Sequence, residues 1–150
     1  MAEDRAALIA HFRQMRQAML DAIEGLSDAQ MTEPSLDGWS VKDHLAHIAF
    51  WDEMRASEVE RISAGQDTAW RMTEEQDEAL NTLAYDLRAG LSLAQVRWEL
   101  EASGRAVLDA IAAATDAGLD GSRYGEAGLV SRHEAQHTGW ITRWRGERGY

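Results

Sequence analysis

Apolar residues recur along this chain at helical spacing, and no segment alternates apolar and polar residues convincingly with period two. From residue 3 to 25, Leu8, Phe12, Met15, Met19 and Ile23 fall three or four apart, the stripe of an amphipathic helix. Gly25 and Ser27 end it, and SDAQMTEPSLDG reads as a loop around Pro34 and Gly38. Ser40 with Asp43 forms a capping-box variant that opens a helix from Val41 to about Ala64, stopped by Gly65. Its stripe is Val41, Leu45, Ile48, Val59 and Ile62. Thr73 and Gln76 cap a shorter helix ending near Ala89–Gly90. Ser92 starts another, to about Thr115, through Leu93, Val96, Leu100, Val107, Leu108 and Ile111. Gly118, Gly121, Gly125 and Gly128 punctuate a loop, and a last helix covers roughly residues 129 to 145. Four long helices with a short one in a crossover predict an all-α four-helix bundle, with residues 1–150 as one domain.

Composition narrows the function. A chain of 150 residues is long enough to bury a core. Its net charge of −11 repels phosphate backbones, so direct nucleic-acid binding is not expected. With no cysteine, there is no disulfide or thiol nucleophile, and a metal site must draw on His, Asp or Glu. The start, MAEDRAALIAHF, lacks the apolar core of a signal peptide, and no apolar run approaches the roughly 20 residues of a membrane span. A soluble cytoplasmic protein is expected.

Chemistry concentrates in five histidines, at 11, 44, 47, 133 and 137. At about 100° per residue, the last helix gathers Leu129, His133, Gln136, His137, Trp140, Ile141 and Trp144 in one inward arc. On the second long helix His47 lies beside Trp51, at one edge of the stripe, and faces the bundle as well. His44 lies between the stripe and Trp51, and geometry alone leaves its role open. His11, next to Phe12, has no matching partner motif. Burying an unpaired imidazole costs free energy, so three inward histidines need a common explanation. A divalent ion bound by three neutral imidazoles is one, and hydrogen-bonded core histidines are the other. Spacing does not choose between them.

His133, Glu134 and His137 also spell H-E-x-x-H, the helical zinc motif of metalloproteases. The surroundings do not fit that class. Its longer form needs a glycine at 140 and a histidine at 143, where this chain has Trp140 and Arg143. A downstream glutamate ligand would have to be Glu147, with no further helix to carry it, and no strand offers an edge to a peptide. Glu134 sits at the margin of the inward arc and reads as a solvated surface residue.

Two stretches carry a resemblance. GWSVKDHLAHIAFWDE (38–53) is similar to the Gly-Trp-Ser helix start and Ala-His-Ile turn of the DinB-like superfamily of metal-binding four-helix bundles. HEAQH (133–137) resembles that family's H-x-x-x-H on the final helix, and the segment between them resembles its crossover and third bundle helix. The resemblance spans essentially the whole chain. It implies one long crossover and a divalent metal, zinc or nickel, on His47, His133 and His137, with His44 outside the ligand positions.

The resemblance also implies a homodimer and a metal-dependent enzyme that activates a low-molecular-weight thiol, as an S-transferase does, or water, for a small-molecule substrate. No segment matches the extra C-terminal domain of the family's mycothiol-dependent isomerase. Two other classes stay in view: a non-catalytic, stress-associated module binding a metal or small ligand, and a bundle whose histidines are structural and which associates with proteins.

Around the trio, Trp51 and Trp140 lie one turn from the histidines and are expected at a pocket wall, with Asn81 and Tyr85 at its mouth; core packing accounts for most of the six tryptophans, Trp39 and Trp144 included. Arg143, Arg145 and Arg148 are read chiefly as compensation of the last helix's dipole. Asp52 and Glu53 are read as salt-bridging, with histidine orientation as the alternative.

Overall fold

The computed structural model describes residues 1–150, apart from the side chains of Glu126 and Ala127. Six α-helices form: α1 (Arg5–Ile23), α2 (Asp28–Thr32), α3 (Val41–Ser63), α4 (Glu74–Arg88), α5 (Leu93–Ala113) and α6 (His133–Arg148), with a 3-10 turn at Gly121–Ala127 before the last. Helices α1, α6, α3 and α5 pack as a ring of four, and α4 lies against α3 within the crossover.

The helix starts follow local chemistry. Ser40, Thr73 and Ser92 each accept from the backbone N–H three residues on, and Asp43, Gln76 and Gln95 return the bond to the cap. The same device at Ser27 and Gln30 builds the short α2 within the stretch expected to be loop. Asp37 and Gly38, both with positive φ, form a two-residue turn closed by paired bonds between Leu36 and Trp39. Asp-Gly suits such a turn because both positions need the left-handed region.

The last helix begins at His133, not near residue 129 as its periodicity predicts. Buried Arg55 explains the delay. Its Nη1 donates to the carbonyls of Gly128 and Leu129, both at 2.9 Å, which removes those acceptors from a helical ladder. Ser131 then accepts from His133 N through its Oγ, and its carbonyl lies 3.2 Å from His11 Nε2. His11 thus anchors the approach to α6.

Two apolar clusters make up the core. One gathers Met19, Met31, Leu45, Ile48, Leu100 and Ile141; the other gathers Leu8, Val59, Ile62, Val107, Ile111 and Tyr124. Neither contains the buried polar groups described next, which α3 and α6 contribute. Among the described residues, no helix is long and apolar enough to cross a membrane.

Candidate metal centre

The three histidines singled out by spacing come together. His47 Nε2 lies 2.9 Å from His133 Nε2, which lies 3.1 Å from His137 Nε2. One donor atom from each falls within 4.8 Å of the others. Burial lowers all three imidazoles well below their ordinary range, and their mutual repulsion when charged lowers His47 and His137 further; His47 falls to about 3. All three are therefore neutral at pH 7, each with one N–H and one lone pair.

Those counts bear on what the cluster can hold. His133 Nε2 faces two other Nε2 atoms and cannot form a full hydrogen bond with both. A cation at the centre would take all three lone pairs at once, and donors about 2.1 Å from a shared ion sit roughly 3 Å apart. The donor set fits a divalent metal.

A fourth imidazole joins from behind. His44, almost fully buried, brings its Nδ1 to 2.6 Å from His137 Nδ1. Periodicity left this residue open, and the signal that could have placed it is its position one turn before His47.

A cavity of about 500 Å³ opens over the cluster, lined by the four histidines, Leu36, Trp39, Asn81, Gln136, Trp140 and Trp144, with Asp37, Arg143 and Glu147 among its polar residues. The tight turn at Asp37–Gly38 sets the Trp39 ring edge-on to His44 and His47, with centroids 5.2 and 5.3 Å away. Trp140 lies 4.8 Å from His137 and is 38% exposed, so it forms a wall with one face to solvent. Gln136, expected inside the arc, is exposed and also lines the opening.

The other expected wall and mouth residues divide. Trp51 packs 6.4 Å from His47 and His133 but does not line this cavity; its Nε1 donates to Asn81 Oδ1 at 2.9 Å, which fixes the asparagine at the mouth. Tyr85 stacks on Trp39 at 5.3 Å and faces a small separate gap, so it supports the wall rather than the mouth.

Glu134 departs from its expected place. It is buried, and its Oε1 accepts from Arg16 Nε at 2.7 Å, while Arg16 Nη2 pairs with Asp52 and Nη1 donates to Leu100 O at 2.7 Å. Arg16, on α1, was not flagged by any sequence signal. Its guanidinium passes so close to Gly104 that a side chain there would collide with it. Burial raises the Asp52 carboxyl above its ordinary value; Arg16 pulls it down, and the Glu134 charge pushes it up again. The triad lines a larger cavity of about 740 Å³ between α1 and α5, which contains none of the histidines. Asp52 thus salt-bridges, and Glu53 pairs with Arg88 at 3.4 Å.

Of the terminal arginines, Arg145 turns to another helix. It donates to the carbonyls of Ala22 and Glu24 at the end of α1, both at 2.9 Å, tying α6 to α1. Arg143 lies 3.9 Å from Glu147 beside the cavity.

The fold has a solved counterpart. An uncharacterised protein from Escherichia coli UTI89 has a crystal structure similar to this chain, with a TM-score of 0.77 and 14% identity, covering 97% of this chain and 94% of that one. At that identity the likeness concerns the fold. No curated protein matches the sequence. The sequence matches the DinB superfamily over residues 11–141, most of its length, and the chain belongs to that family.

Proposed function

We propose that this protein binds one divalent metal ion through Nε2 of His47, His133 and His137 and uses it to activate a small thiol or a water molecule against a small-molecule substrate. The observation that carries the reading is the convergence of three neutral imidazole nitrogens beneath an open aromatic cavity. A metal bound there would lower the pKa of a coordinated thiol or water and so supply a nucleophile at neutral pH.

The chain's own residues do the rest. The neutral trio adds no charge, so a divalent ion keeps its full attraction for an anionic ligand. Trp39, Trp140 and Trp144 offer apolar faces to a substrate body and limit water at the histidines. Asn81, held by Trp51, and Arg143 supply polar contacts at the opening. Glu134 is tied to Arg16, so the glutamate of the H-E-x-x-H string is not a free base. Zinc and nickel both suit three imidazoles. Exposed Leu83, Leu87 and Trp98 are consistent with a homodimer, which sedimentation would read.

Elemental mass spectrometry tests the reading. The expected result is about one equivalent of transition metal in the wild type, lost in His47→Ala and His133→Ala. Turnover of electrophiles with added thiols would identify a transferase; bound metal without turnover would favour a binding module. No metal in the wild type after incubation with zinc, nickel or manganese would overturn the reading.

A further inference from the structure

His44 is nearly fully buried, yet its Nε2 has no hydrogen-bond partner among the described residues, and its one polar contact is the 2.6 Å approach to His137 Nδ1. Two neutral imidazoles in contact through Nδ1 need one donor and one acceptor, so two proton arrangements exist. In one, His44 donates, and His137 carries its one lone pair on Nδ1 and its proton on Nε2, pointing into the trio. In the other, His137 donates from Nδ1 and its Nε2 lone pair is free.

Only the second arrangement makes His137 a ligand. It also leaves the His44 proton on Nε2, on a ring that packs T-shaped against the indoles of Trp39 and Trp140, with centroids 5.2 and 6.0 Å away. An N–H can rest against an aromatic face, whereas a bare lone pair there would have no donor.

We infer that His44 is a positioning residue: it accepts the Nδ1–H of His137, fixes that ring's tautomer and orientation, and thereby holds its Nε2 lone pair toward His47 and His133. This rests on the metal-binding reading above and adds to it a fourth histidine that is not a ligand. In many metal sites the outer partner of a ligating histidine is a carboxylate or a backbone carbonyl. Here it is a neutral imidazole, and among the described residues no carboxylate hydrogen-bonds to a ring nitrogen of His47, His133 or His137. The charge at the site therefore stays that of the ion itself. Trp39 and Trp140 pack against the His44 ring, whose Nε2 has no hydrogen-bond partner among the described residues.

The test compares wild type with His44→Leu, which removes the acceptor, and His44→Asn, whose Oδ1 stands close to where Nδ1 stood. Zinc affinity is measured by competition with a chromophoric chelator, and cobalt substitution gives a d–d spectrum of the site. Outer-partner loss costs about ten- to hundredfold in metal affinity, so His44→Leu is expected to weaken zinc by that factor and alter the cobalt spectrum. His44→Asn is expected to stay within about threefold of wild type. Equal affinity in wild type and His44→Leu would overturn the inference while leaving the metal site intact.

A second readout does not depend on metal or on a variant that folds. Long-range ¹⁵N–¹H correlation on the metal-free wild type reads the tautomers directly. His137 protonated on Nδ1 and His44 on Nε2 is the expected result, and the reverse would overturn the inference. If the wild type bound no metal, the proposed function would fall, and the tautomers would show separately whether His44 holds His137 as described.

Discussion

Two buried polar regions lie side by side in this bundle, and they solve the problem of buried polarity in opposite ways. The Arg16–Asp52–Glu134 triad keeps its charges and pairs them, one guanidinium between two carboxylates with a third contact to a backbone carbonyl. The histidine cluster gives up its charges: four imidazoles from α3 and α6 stand neutral, with ring nitrogens turned toward one another. A satisfied ion network suits structure, whereas converging unsatisfied donors suit a ligand. His133 and Glu134 are consecutive, yet one belongs to each region. That separation ties the glutamate of the H-E-x-x-H string to Arg16 and away from the histidine trio.

Acid should break the comparison most strongly. The folded histidine values lie below the unfolded value of 6.5, so the unfolded chain takes up protons that the folded one refuses. Their contribution is complete above pH 6.5 and is lost as pH falls toward about 2–4, at about 1 kcal/mol per histidine per pH unit. Asp52 runs the other way: its raised value contributes stability at low pH that is lost as pH rises. Denaturant titrations of metal-free protein at pH 7, 6 and 5 should show stability falling steadily, and a flat profile would mean the imidazoles are not held neutral.

Removing the shared cation should come next in size. Arg16→Met leaves two buried carboxylates without a partner and is expected to cost about 3–5 kcal/mol. Metal content per folded molecule should be unchanged, since the triad touches none of the three Nε2 atoms. Loss of metal at intact folding would show that the two regions are coupled.

Glu134→Gln is the mildest test. It keeps an acceptor for Arg16 Nε and removes one of two carboxylates, so a loss of about 1–2 kcal/mol is expected by chemical denaturation. Metal binding and any activity should persist. A collapse of activity at unchanged stability would restore Glu134 as a base.

How much was legible follows the range of each interaction. Ser40, Thr73 and Ser92 announce helix starts because a cap and its partner lie three residues apart. His133 and His137 share a face because of helical period alone, and the stripe on α3 turns His47 inward. The same reasoning missed α2, where Ser27 and Gln30 carried a readable box, and it started α6 four residues early because Arg55 acts across more than seventy residues.

By itself, then, the sequence determined the helical class, most helix boundaries and the three histidines that could meet. Tertiary structure alone decided which polar groups found partners. Arg16 reaches Glu134 across 118 positions, His44 reaches His137 across 93, and Arg145 reaches the end of α1 across more than 120. Periodicity tells which way a side chain faces; what it faces depends on how the helices pack, because desolvation charges for every buried polar group left without a partner.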